Sequence, residues 1–179
     1  MIKLPSGLEI KNLLNDLRIF SWEAAEILLY YSQILKDPNN KSNILKNDND
    51  EDPVTLADLK VNETIIKRIN KKYKGINWEI LSEENVKTKS EDFHNSSEWI
   101  WILDPLDGTK DFIQGTENYA MHLALNYKSK PYIGVVLIPE KDELWFAVGE
   151  KVWCEKRDGL VIQSNLSNNK KLQDMTLVT

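Results

Sequence analysis

Cysteine is almost absent: Cys154 is the sole thiol in 179 residues, which excludes an internal disulfide framework and any cysteine-built zinc cluster. Its alternating neighbours in VWCEK suggest a strand residue rather than a nucleophile. Histidine is scarce too, and neither His94 nor His122 has a partner at ligand spacing. No stretch reaches the ~18 uninterrupted apolar residues of a membrane span. The start, MIKLPSGLEIKNLLNDL, has no sustained apolar core before a small-residue cleavage site, so the expectation is a cytoplasmic protein. Positive charge is in deficit, 23 Lys and Arg against 28 Asp and Glu, a net charge of −5. A nucleic-acid polymer is therefore not an expected partner, and a phosphorylated ligand must be held by a local site or a metal. The rest of the composition, 41% hydrophobic and 28% charged, is that of a globular protein. The length allows one substantial core, or one domain and part of another.

Helical spacing of Leu13, Leu14, Leu17, Phe20, Ala24 and Leu28 predicts a helix over residues 8–36, with a kink or a crowded apolar face near Phe20-Ser21-Trp22. Residues 37–52 are polar and aperiodic and read as a loop. A second helix is predicted from Thr55 to about Tyr73, opened by a capping box of Thr55 and Asp58. Strands follow at 78–81, 99–103, 119–127, 132–138, 144–148 and 152–155. The 128–131 and 139–142 links suit hairpin turns, and 85–97 and 164–173 read as polar connections. Helices first and a strand meander afterwards imply an α+β fold, helices packed on a mostly antiparallel sheet.

Chemistry concentrates in IWILDPLDGTKDF, residues 100–112. Asp104 and Asp107 crowd against Gly108 and Thr109 where an apolar run ends. Carboxylates in such a place repel one another and lose solvation unless a cation or proton neutralises them. Oxygen donors without a histidine or cysteine nearby specify Mg²⁺ or Mn²⁺ over zinc or copper. Acids at i and i+3 can straddle two metals ~4 Å apart. Gly108 lets backbone amides approach a phosphate oxygen, especially where a helix starts. A covalent aspartyl-phosphatase of the haloacid-dehalogenase type needs D-x-D, and here Pro105 and Leu106 put two residues between the acids. An EF-hand fails as well, because its alternating oxygen ligands and closing Glu are not in place.

Three segments in order, DPVTLAD (52–58), LSEEN (81–85) and WILDPLDGTKDF (101–112), resemble the N-terminal motifs of the inositol monophosphatase superfamily. DGTKDFIQG, followed by YAMHLAL and YIGVVLIP, is most similar to its CysQ branch, the 3'(2'),5'-bisphosphate nucleotidases. The resemblance implies a layered sugar-phosphatase-like fold and an Mg²⁺-dependent phosphomonoesterase using two or more ions, with Mn²⁺ as a substitute. Glu83, Asp104 and the Leu106 carbonyl would hold one ion, and Asp104 with Asp107 a second. Asp58 and Thr109 would orient the attacking water. Gly108 and Thr109 amides would hold the phosphate of a small substrate, a nucleotide, beside Glu83, Leu106 and Asp107.

The family also supplies a metal-binding Asp from a W-D-x-A-A segment in a second, α/β domain, and no such segment occurs here. The expectation is a phosphatase domain over 1–163, then a linker and the start of a truncated second domain over 164–179, with little activity. The alternatives are an inositol or sugar-phosphate phosphatase, and a catalytically silent fragment that binds metal or a partner and self-associates through uncovered apolar surface. Lys110 and Asp111 read as a solvated turn, and the six tryptophans as packing residues.

Overall fold

A computed structural model describes residues 3–47, 54–86 and 97–164. The first helix, α1, spans Ile10–Leu35 and is continuous through Phe20-Ser21-Trp22. Phe20 and Ser21 are both buried there, so the crowding broadens the helix's inner face. Residues 38–47, read as loop, instead form a 3-10 turn (Pro38–Asn40), a short helix α2 (Lys41–Ile44) and strand β1 (Leu45–Asn47). β1 pairs antiparallel with β2 (Val54–Thr55). Buried Ile44 anchors a segment whose polar composition hid it.

Helix α3, Leu56–Lys72, follows directly and has the expected capping box. Seven strands then form one open sheet in sequence order: β3 (Glu79–Ser82), β4 (Trp99–Asp107), β5 (Ala120–Tyr127), β6 (Lys130–Ile138), β7 (Glu143–Val148), β8 (Lys151–Glu155) and β9 (Val161–Gln163). Short helices α4 (Glu83–Val86) and α5 (Thr109–Gln114) follow β3 and β4. Every pairing is antiparallel except β3 with β4. β9 escaped prediction because all three of its residues are exposed and leave no buried alternation to read. Residues 87–96 of the predicted polar connection, and 165–179 with the predicted linker, lie outside the described residues.

β4 is the main correction. Expected to stop at Leu103, it continues through Pro105 to Asp107. Proline has no amide to give the ladder, and the pairing with β5 shifts register between Asp104 and Asp107. A bulge there absorbs the proline without ending the strand and re-aims the residues around it.

Leu13, Leu17 and Leu28 of α1 and Val61, Ile65 and Ile69 of α3 share one core with Trp101, Leu103, Leu123, Val135 and Phe146 of the sheet. Burying each such side chain contributes ~1.5–3 kcal/mol. Trp101 sits edge-on to Trp78, and Phe146 stacks on Trp153. Cys154 is buried on β8. The sheet places its rows by register: Ser82 pairs with Leu103, Asp104 with His122, and the row continues through Val136, Trp145 and Cys154. Among the described residues, no helix is long and apolar enough to cross a membrane.

Candidate metal and phosphate site

Asp58 enters from the first turn of α3, and only 3% of it is exposed. Its Oδ2 accepts from the Thr55 amide at 2.8 Å and from the Thr55 hydroxyl at 2.5 Å. Burial pushes this carboxyl up, against the pull of those donors and of Thr109. The capping role does not exhaust Asp58: its second oxygen, Oδ1, lies 3.4 Å from Thr109 Oγ1. Thr109 also donates to the Leu106 carbonyl at 2.9 Å, so a single hydroxyl links α3 to the β4 bulge.

Glu83 opens α4 at the end of β3. Behind it, Ser82 Oγ donates to Asn62 Oδ1 of α3 at 2.5 Å, and both residues are buried. Sequence reading missed this pair, which ties the strand carrying Glu83 to the helix carrying Asp58. Because β3 and β4 are parallel with Ser82 opposite Leu103, Glu83, just past the end of β3, comes level with Asp104 within β4.

Asp104 Oδ1 accepts from the Leu106 amide at 3.1 Å. Burial first, then the negative charge of Glu83, with a smaller contribution from Asp107, pushes the Asp104 carboxyl up to about 7. Glu83 thus lies near enough to Asp104 to act on its charge, the Leu106 carbonyl accepts from Thr109, and Asp107 lies just beyond, exposed. Gly108 follows with φ +82°, and an added Cβ would lie 2.6 Å from the Asn118 carbonyl oxygen. Only glycine fits that left-handed turn, which starts α5 at Thr109. Lys110 is exposed and Asp111 half-buried, with Asp111 accepting from the Thr116 hydroxyl.

Sequence spacing gives His122 no partner, but the sheet brings it beside Asp107. It stands opposite Asp104 on β5, and its Nε2 lies 3.8 Å from Asp107 Oδ2. Sequence spacing cannot find this neighbour, because residues 108–119 separate the two strands.

Among the described residues, no three His, Cys, Asp or Glu side chains are drawn together into a metal-holding group by themselves. The donor chemistry still suits a hard cation: repelling carboxylates beside a backbone carbonyl are what Mg²⁺ or Mn²⁺ would neutralise. An ion here would complete its shell with water or substrate.

The raised Asp104 has a consequence for stability. The folded chain keeps a proton on Asp104 that the unfolded chain releases near pH 4. That stabilisation is fully present below about pH 4 and is lost as pH rises through about 7. In EDTA, the melting temperature should therefore carry a component that falls over this window. Thermal melts of wild type and Asp104→Asn across the range check it, and an equally steep fall in the variant would assign the effect to another group.

Residues 14–179 match the inositol monophosphatase family. This chain belongs to that family. A 3'(2'),5'-bisphosphate nucleotidase CysQ from Haemophilus influenzae is 30% identical over 140 residues, 77% of this chain and 48% of that protein. The bifunctional phosphatase IMPL2 of Arabidopsis thaliana is 34% identical over 99 residues, 55% of this chain and 27% of that protein. Among solved structures, the suhB extragenic suppressor protein of Bartonella henselae superposes with a TM-score of 0.70 at 24% identity, covering 91% of this chain and 57% of the other. CysQ from Bacteroides thetaiotaomicron gives a TM-score of 0.57 at 28% identity, over 83% and 55%. The α+β family fold holds, with helices on a mostly antiparallel, open sheet. The chain spans about half the length of the first of these curated relatives.

Proposed function

We propose that this chain carries the metal-and-phosphate side of an Mg²⁺-dependent phosphomonoesterase site, with a nucleoside 3',5'-bisphosphate as substrate. The observation that supports this reading is the buried Asp104 carboxyl, raised further by the charges of Glu83 and Asp107, at the bulge reached by the Asp58–Thr109 contact. The family's CysQ relatives support the choice of substrate class, and the sugar-phosphate alternative remains the competitor in the assay below.

Mg²⁺, when bound, would supply a nucleophilic water near neutral pH and charge neutralisation on the phosphate. Glu83, Asp104, the Leu106 carbonyl and Asp107 would hold it. Thr109 has a single hydroxyl proton, shared between the Leu106 carbonyl and Asp58. With that proton directed to Asp58, the hydroxyl oxygen is free to accept from an attacking water and fix its direction. Asp58 is held for this task by both Thr55 donors. Gly108 brings the start of α5 close enough for its amides to meet phosphate oxygens.

Among the described residues no three ligating side chains gather into a metal-holding group, so turnover by the 179-residue chain alone should be slow. Phosphate release under single-turnover conditions, with adenosine 3',5'-bisphosphate or inositol 1-phosphate and with or without Mg²⁺, tests both points. Slow, Mg²⁺-dependent release, faster with the nucleotide and lost in Thr109→Ala, is expected. No Mg²⁺-dependent release would sink the enzyme reading, whereas rapid multiple turnover would show that the site is complete.

A further inference from the structure

His122 has no partner along the chain, but the sheet register gives it one. Asp104 and His122 are direct cross-strand partners, so their side chains share one face of the sheet. The β4 bulge then returns Asp107 to the same side, 3.8 Å from His122 Nε2. That separation is too long for a direct hydrogen bond. It is shorter than the ~4.2 Å spanned by two metal–donor bonds of ~2.1 Å placed end to end, so one ion can touch both atoms. His122 and Asp107 are also open to solvent, with side chains 45% and 59% exposed, so an ion can reach them and keep water ligands. Asp104 lies opposite His122 in the same row, and Glu83 opens α4 one residue beyond the end of β3.

We infer that His122 is a nitrogen ligand to the ion held at Asp107, which biases that position away from Mg²⁺ and toward later divalent metals such as Zn²⁺. The inference rests on the carboxylate metal site proposed above. Imidazole raises affinity for zinc and its neighbours, while Mg²⁺ gains little from exchanging an oxygen donor for nitrogen. Preference among metals would then be set on β5, outside the three acidic motifs.

The chain has only two histidines, which makes the test clean. Mn²⁺ is titrated into the untagged 179-residue chain, and binding is followed by loss of the free-ion EPR signal. Pulsed EPR of the bound ion then looks for ¹⁴N coupling from a coordinated imidazole. Coupling should be present in wild type and His94→Gln and absent in His122→Gln. In competition, His122→Gln should need about tenfold more Zn²⁺ to displace Mn²⁺, with the Mg²⁺ requirement changed less than about twofold. His122→Asn serves as a second variant, and circular dichroism verifies that both are folded. Mn²⁺ binding without nitrogen coupling, or coupling that survives both His122 substitutions, overturns the role of His122 and leaves the carboxylate site standing. Absence of Mn²⁺ binding overturns both.

Discussion

Replacing Asp104 with Asn is expected to weaken Mn²⁺ binding at least about a hundredfold, the upper end of what losing even a supporting group costs a metal site. The substitution keeps an oxygen for the Leu106 amide, which Asp104 Oδ1 now accepts. It removes a negative charge that burial and Glu83 already oppose. Metal affinity and metal-free stability should therefore move in opposite directions: the variant binds poorly, yet above pH 7 in EDTA it melts no lower than wild type, and higher if repulsion dominates. EPR titration and thermal melting measure the two effects separately. A variant that loses both in parallel would show Asp104 to be a structural residue.

The second large effect is expected at Gly108→Ala. The left-handed backbone costs a non-glycine residue ~1–2 kcal/mol. The new methyl would also meet the backbone oxygen of Asn118 at 2.6 Å, a contact that no rotamer relieves. Overpacking of this kind adds ~1–3 kcal/mol. Together they predict a loss of ~2–5 kcal/mol and a fall in melting temperature of roughly 5–20 °C. The turn cannot shift without carrying Asp107 and Thr109 with it, so metal affinity should fall as well. Gly115, also left-handed but with open space around its Cβ position, is the control: alanine there should cost only the backbone component. Equal losses at both positions would remove the role assigned to the Asn118 contact.

Much of this architecture is legible in the chain because local rules agree with it. Thr55 and Asp58 spell a capping box, and the box forms. Residues 120–148 alternate because one face of these strands meets the core shared with α1 and α3, and the strands are antiparallel neighbours. The acids are visible because charge at the end of an apolar run is expensive. Failures have equally specific causes. Pro105 looks like a strand terminator, and only the partner strand shows that a bulge carries β4 past it. β9 has no buried side to produce a pattern. His122 and the Asn62–Ser82 hydrogen bond depend on which residue of one element faces which residue of another, information that spacing along a single chain does not carry.

For redesign, the cross-strand row through Asp104 acts as an address line. The proposed ligands lie in the acidic motifs, whereas position 122 on the neighbouring strand faces Asp104 without belonging to any motif. An engineer could exchange or remove the donor at position 122 while leaving the β4 bulge, the capping box and the Gly108 turn untouched. With His122 as a ligand, a sorting of related chains by the residue at this position would separate metal preferences that the acidic motifs alone leave merged.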